Sequence, residues 1–471
     1  MLEIYLEGHD NYYGIADVMR AFYLRPTEDK EGLRVYCSDA PDMVFCSAVG
    51  EDSSSCTSKD GTVSIILPFV TDPVSISREV KRSCYTALSE FLGRKAPWGC
   101  LTGIRPTLVA GETGDPKELS EKYFVRQDKA ELALKTYANE QKVLSKIPGE
   151  DINIYVGIPF CPSRCEYCSF VSSDISHHMD RLGKYLDALE EEIKTVGPVI
   201  GRKISTLYLG GGTPTVFNDT DFDRLLDIIY GNLKMDPETE VTVEAGRPDT
   251  ITEHKLRSMA EHGVRRICIN PQTMNSETLA RLNRLHSSED TVRVFEMARK
   301  AGFDVINMDL IAGLKYETAS DFIDSVNRLI DLHPENITVH TLYKKRRAAI
   351  SVSDVLTDDN NEVDDAVRKG YGLLDKAGYI PYYMYRQKDT GHGLENTGFA
   401  LPGTECLYNV AMMTDARDVL SFGAGGMSKR VFGSEGNKYR VERCPCIKDV
   451  IGYMNSSREM AERKMRFFGI I

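Results

Sequence analysis

No stretch of this 471-residue sequence approaches the roughly 20 consecutive apolar residues that a membrane helix needs. Its opening, MLEIYLEGHD, puts acids where a secretory signal needs a basic end and an apolar run, so a cytoplasmic protein is expected. Positive charge is in deficit as well. The 58 Lys and Arg against 70 Asp and Glu leave a net charge of −12, which argues against broad, salt-dependent binding to nucleic acid or an anionic membrane. With 42% hydrophobic and 27% charged residues, 37 Gly and 19 Pro, the composition is not collagen-like, disordered or that of a disulfide miniprotein. No internal repeat of fixed period is evident. Twelve cysteines in a long, unexported chain are buried thiols and metal ligands before they are disulfides.

The length favours two to four domains, and three are expected. Residues 1–150 read as a small α/β domain with a helical linker. It has strands at LEIYL, VYCSD and TVSIILPF, helices at Ile15–Tyr23 and Ser77–Leu92, and a surface loop over the polar Gly50–Gly61. Residues 151–343 alternate strands with amphipathic helices. The strands are INIYVGI at Ile152, STLYLG at Ser205, VTVEA at Val241, RICIN at Arg266, VINMDLI at Val305 and ITVHTLY at Ile337. That alternation belongs to a parallel α/β sheet, either a partial (β/α)6 barrel or a doubly wound sheet. Residues 344–471 read as a C-terminal α+β lobe, with a helix over Val363–Ala377, an aromatic strand YIPYYMYRQ and a last helix through Ile447–Phe468.

The sharpest feature is GIPFCPSRCEYCSF, which puts Cys161, Cys165 and Cys168 in CxxxCxxC spacing directly after the first of these strands. Iron–sulfur cubanes are held by cysteine thiolates, normally four. Three would leave one iron open to the amino and carboxylate groups of a small molecule. The bland alternative is a structural zinc site, which needs a fourth ligand from elsewhere. LGGGTPT ends the second strand but lacks both the Lys-Ser/Thr of a phosphate loop and the third glycine of GxGxxG, so alone it is an ordinary tight turn. Position makes it more. Cys161, Gly211, Glu244, Gln272 and Asp309 all fall at or just beyond the carboxyl ends of strands, where parallel α/β folds bind ligands.

In chain order, Tyr155, IPFCPSRCEYC, GGGTPT, VEAGRPD, NPQT, LNRLH and MDLIAGL resemble the radical S-adenosylmethionine superfamily. Within it the likeness is to the coproporphyrinogen III oxidase-like group. PWGCLTGIRPT before these motifs and LENTGFALPGTECLYN after them are most similar to the coproporphyrinogen dehydrogenase HemZ type. The resemblance implies a partial (β/α)6 radical SAM barrel carrying a 4Fe–4S cluster on Cys161, Cys165 and Cys168. S-adenosylmethionine would be cleaved there to a 5'-deoxyadenosyl radical. By matching motif positions, Tyr155, Tyr167, Gly211, Gly212, Thr213, Glu244, Gln272, Arg284 and Asp309 would line the S-adenosylmethionine site, with Tyr343 and Met427 as further contacts.

The implied reaction is oxidative decarboxylation of coproporphyrinogen III to protoporphyrinogen IX in heme biosynthesis, with flavodoxin or ferredoxin as electron donor. Propionates call for cations, for which Lys344, Lys345, Arg346, Arg347 and Arg386 are candidates, a solvated basic loop being the alternative. A sister group of heme chaperones carries HNxxYW where this chain has Tyr408, Asn409, Met412 and Met413, so three of the four positions differ. A radical enzyme acting on heme is a further alternative. Cys37, Cys46, Cys56, Cys84, Cys100, Cys268 and Cys406 show no ligand spacing and read as buried small hydrophobes, and Cys444 and Cys446 as free thiols.

Overall fold

The computed structural model describes residues 2–22, 24, 27–29, 32–35, 42–168, 173–175, 181–342, 360–387, 393–435 and 438–471. They group into two compact units, Met1–Tyr137 with Met384–Glu395, and Ala138–Tyr383 with Asn396–Ile471.

In the first unit, β1 (Leu2–Glu7), β2 (Thr27–Asp29), β3 (Gly32–Val35), β4 (Met43–Val49), β5 (Ser53–Ser58) and β6 (Ser64–Pro68) form one sheet in the order β2-β3-β1-β4-β5-β6. Helices Tyr12–Ala21 and Ile76–Leu92 pack with it, as their apolar spacing requires. The surface loop expected over Gly50–Gly61 is corrected here. Its middle is β5, an interior strand paired on both edges. Ser54, Cys56 and Ser58 alternate inward, and Ser54 Oγ donates to the Glu79 carbonyl of the second helix at 2.8 Å. The period of two shows in burial and in neither size nor polarity of the side chains, because the helix lying close to this strand accepts small residues, and small residues also fill the outer face.

Beyond residue 150 come β7 (Ile152–Ile158), β8 (Phe160–Cys161), β9 (Ser173–Asp174), β10 (Ile204–Gly211), β11 (Glu240–Gly246), β12 (Arg266–Ile269), β13 (Val305–Ala312) and β14 (Asn336–Thr341). They are followed by β15 (Ile380–Arg386), β16 (Glu395–Ala400), β17 (Val419–Phe422), β18 (Met427–Glu435) and β19 (Lys438–Pro445). All six strands expected in the barrel segment are present. They lie parallel in the spatial order β7-β10-β11-β12-β13-β14. A doubly wound sheet would reverse direction at a switch point, so this consecutive order identifies the barrel alternative. The ladder stays open: β17 continues it in parallel beyond β7, and β16 lies antiparallel on β14.

Strands covered on both faces read as nearly unbroken apolar runs, and every residue of β7 but the half-buried Tyr155 is buried. Helices Leu182–Val196, Asp219–Asn232, Glu253–Glu261, Ser288–Lys300 and Ala319–Leu332 form the crossovers. The last two start at capping boxes, Ser287 with Asp290 and Thr318 with Asp321. The last helix expected through Ile447–Phe468 is two, Val450–Met454 and Ser457–Phe468, broken at Asn455 and Ser456.

A buried carboxylate ties these final helices to the start of the barrel. Glu192, fully buried on the first crossover helix, accepts from Tyr453 Oη at 2.7 Å and from the Gly423 amide at 2.9 Å, and pairs with buried Lys464. Tyr185 on the same helix donates to the Gly157 carbonyl of β7 at 2.6 Å and accepts from the Ala424 amide. A Cβ on Gly423 would lie 2.3 Å from the Gly157 carbonyl oxygen, so only glycine lets this turn reach β7. Breaking a buried pair from one side leaves an uncompensated charge. Glu192→Ala is expected to lower unfolding free energy by about 3–5 kcal/mol in urea titrations, and the paired replacement Glu192→Leu with Lys464→Met to recover part of that loss.

Candidate active site at the barrel mouth

The three cysteines leave the end of β7 on a loop that the neighbouring turn holds. The Gly212 amide donates to the Ile158 carbonyl and the Thr213 amide to the Phe160 carbonyl, both at 2.7 Å. Thr213 Oγ1 lies 3.6 Å from Cys161 Sγ. That contact needs a bare backbone: a Cβ on Gly212 would sit 2.4 Å from the Phe160 carbonyl oxygen and 3.0 Å from Cys161 Sγ. On the other side of the loop, Arg284 Nη1 donates to Tyr167 Oη at 2.8 Å and lies 3.8 Å from Cys165 Sγ. Its Nη2 donates to the Asn270 carbonyl at 2.5 Å, while its Nε is buried without a hydrogen-bond partner. Burial pushes the Tyr167 hydroxyl well above its ordinary range, so it stays protonated.

The eleven described cysteines form no disulfide, and Cys37 lies outside the described residues. Among the described residues no group of three His, Cys, Asp or Glu stands ready-made around a metal ion. Three soft thiol donors within eight residues, a guanidinium beside one of them and an orphaned buried Arg284 Nε fit an iron–sulfur cluster with a small polar ligand next to it.

The remaining candidates line the ends of the next strands. Glu244 on β11 accepts from Tyr208 Oη at 2.7 Å and from the Gly211 amide at 3.2 Å. Burial, with the Asp309 charge adding to it, raises its carboxyl to about 7 against those two bonds. Asp309 on β13 goes the other way. Burial pushes it up, but the His340 ring 3.6 Å away, the Asn307 amide at 2.8 Å and Thr338 outweigh that and keep it below the ordinary range. Gln272, in the left-handed region at φ +73°, is bonded on both sides to β13: its amide donates to the Asp309 carbonyl and its carbonyl accepts from Ile311, each at 2.9 Å. Tyr208 and Tyr408 stack on each other at 4.6 Å, and the Tyr155 ring lies beside the pair, near-parallel to both at 6.4 and 6.2 Å.

Thus Thr213 meets Cys161 on one side of the cysteine loop and Arg284 meets Cys165 and Tyr167 on the other, while Tyr155, Gly211, Glu244 and Asp309 gather around Tyr208 and the strand ends. Cys168 closes the loop, its amide bonded to the Cys165 carbonyl. Met427 begins β18 and is half-buried opposite Pro445. Tyr343, His177, His178 and residues 344–347 lie outside the described residues. Arg386 belongs to the first unit, where it is buried, donates to the Leu101 and Gly393 carbonyls and faces the Trp98 ring at 5.5 Å. Sequence reasoning missed Tyr208, Arg247 and Asn283. The signal for Tyr208 is its period-two spacing to Gly210 on the same strand face, and Arg247 and Asn283 sit inside motifs whose other members drew the attention.

Residues 155–329 match the Radical SAM superfamily model. The chain is 33% identical over 402 residues to the oxygen-independent coproporphyrinogen-III oxidase-like protein HemZ of Bacillus subtilis, covering 81% of this chain and 78% of that one. It is 26% identical to the heme chaperone HemW of Escherichia coli over 284 residues, 60% of this chain and 71% of that one. The solved coproporphyrinogen III oxidase HemN of Escherichia coli shares the fold with a TM-score of 0.53 at 23% identity, over 68% of this chain and 72% of that one.

Two outcomes follow from this geometry. Gly212→Ala is expected to cut iron and sulfide bound per chain after anaerobic reconstitution at least severalfold, as measured by metal analysis. Folded Glu244 holds its proton to about 7, whereas the unfolded chain releases it near 4.5. This group's contribution to stability is therefore complete below the lower value and is lost as pH rises through the higher, by roughly 3 kcal/mol. In the cofactor-free protein, Glu244→Gln should gain unfolding free energy relative to wild type between about pH 5 and about pH 8, and a constant difference would contradict the assignment.

Proposed function

The chain belongs to the radical SAM superfamily and, within it, to the family of HemZ-type oxygen-independent coproporphyrinogen-III oxidase-like proteins; from that premise we propose that it converts coproporphyrinogen III to protoporphyrinogen IX by oxidative decarboxylation. The family's cofactors are a 4Fe–4S cluster and S-adenosylmethionine. Bound together, they supply a 5'-deoxyadenosyl radical able to take a hydrogen atom from the β-carbon of a propionate.

The chain's own residues provide the setting. Cys161, Cys165 and Cys168 hold the cluster through thiolates. Arg284, with Nε unspent, and the backbone of Gly211, Gly212 and Thr213 receive the polar end of S-adenosylmethionine. Glu244, Gln272, Asp309 and Tyr155 line the rest of that site. A cation entering it favours ionised Glu244, drawing its proton off below the value of about 7 it has alone. A low-potential flavodoxin or ferredoxin delivers the electron.

The observation that carries this reading is the extent of the match to the oxidase-like relative, which covers 81% of the chain and so reaches well past the residues of the superfamily model. Heme carriage finds less support. Tyr408 stands where the chaperone motif has its histidine, and it is 5% exposed in the tyrosine stack.

The test is anaerobic turnover of the reconstituted, reduced protein with S-adenosylmethionine and coproporphyrinogen III, read by mass. Loss of two carboxyl groups together with 5'-deoxyadenosine is expected from wild type and neither from Cys165→Ala. 5'-Deoxyadenosine beside intact coproporphyrinogen would move the substrate elsewhere, with heme next to be tried.

A further inference from the structure

The cysteine loop is held at its middle as well as at its ends. Between Cys161 and Cys165 it carries Pro162, Ser163 and Arg164, and Ser163 is the hub of a closed set of hydrogen bonds. Ser163 Oγ accepts from Arg247 Nη1 at 2.6 Å and donates to the Asn283 carbonyl at 3.0 Å. Arg247 Nη1 also donates to the Ser163 carbonyl at 3.3 Å, and Asn283 Nδ2 returns a bond to the Arg164 carbonyl at 3.0 Å.

Behind the loop, Asp249 takes Arg247 in a fork, Nε to Oδ1 at 2.9 Å and Nη2 to Oδ2 at 2.8 Å. The His286 ring lies 3.5 Å from Oδ1. Arg247 is 4% exposed and His286 6%. This is not a surface ion pair that happens to form. Asp249 fixes two guanidinium nitrogens, so the third aims at Ser163, and three separate stretches, CPSRC, GRPD and NRLH, lock at one point.

We propose that Arg247 is a positioning residue for the iron–sulfur cluster, a latch that holds the Pro162–Arg164 segment between the Cys161 and Cys165 ligands, with Asp249 orienting it. The inference rests on the cluster being carried by these cysteines and is independent of which tetrapyrrole the protein acts on. A planar fork is needed for this task. Lysine would keep the charge but could not bond Asp249 twice and Ser163 at once. Residues behind metal ligands typically matter tenfold or more for metal retention.

The experiment follows iron release from the full-length, anaerobically reconstituted protein to a ferrous-iron chelator, with the unfolding midpoint of the cofactor-free protein measured in parallel. Arg247→Ala and Arg247→Lys are expected to release iron about tenfold faster than wild type. Arg247→Ala strands the Asp249 carboxylate in the interior and can weaken the fold, so Ser163→Ala, which removes only the hydroxyl, is the second variant. It should also release iron several times faster with an unchanged cofactor-free midpoint, Ser163→Thr should restore the wild-type rate, and the double variant Arg247→Ala with Ser163→Ala should be no faster than Arg247→Ala alone. Wild-type release from Ser163→Ala, or single effects that multiply in the double variant, would overturn the latch. Failure of porphyrinogen turnover with these rates as expected would count against the substrate and leave the latch standing.

Discussion

Everything at the barrel mouth depends on how closely the exit of β10 lies against the exit of β7. Two short backbone bonds, from the Gly212 and Thr213 amides to the Ile158 and Phe160 carbonyls, join the glycine turn to the first residues of the cysteine loop. They form only because no side chain stands between the strands there. The same contact brings Thr213 to Cys161 and delivers the Gly211 amide to Glu244, so one close approach organises both the cluster side and the carboxylate side of the site.

The carboxylates show how a nonpolar interior can serve two purposes at once. Glu244 and Asp309 share the mouth and are both desolvated. Asp309 is given donors that keep it ionised, whereas Glu244 is left closer to neutral. A site of this kind avoids two buried like charges while empty and presents a second negative charge when a cation arrives.

Much of this was legible in the sequence, and for specific reasons. All six barrel strands were, because strands covered on both faces are written as β-branched and aliphatic runs. The cysteine loop was, because thiol spacing is local. Strand order was not, since periodicity says nothing of which strand neighbours which, and it took the pairing of β7 with β10 and onward to separate a barrel from a doubly wound sheet. β5 was hidden because serine and cysteine at inward positions carry no hydropathy signal. Arg247 was hidden for another reason: its partner Ser163 lies 84 residues before it, and no local pattern announces a bond of that span.

The link through Glu192 bears on the order of assembly. β7 receives its outer neighbour from β17, and the helix that follows β7 gives its buried carboxylate to Lys464, 272 residues further on. During synthesis the first barrel strand therefore emerges long before the segments that cover its edge and neutralise its helix. The cysteine loop, which starts at the end of that strand, takes its bonds from Thr213, Arg247, Asn283 and Arg284, so its frame is synthesised well before the segments that cover the strand carrying it.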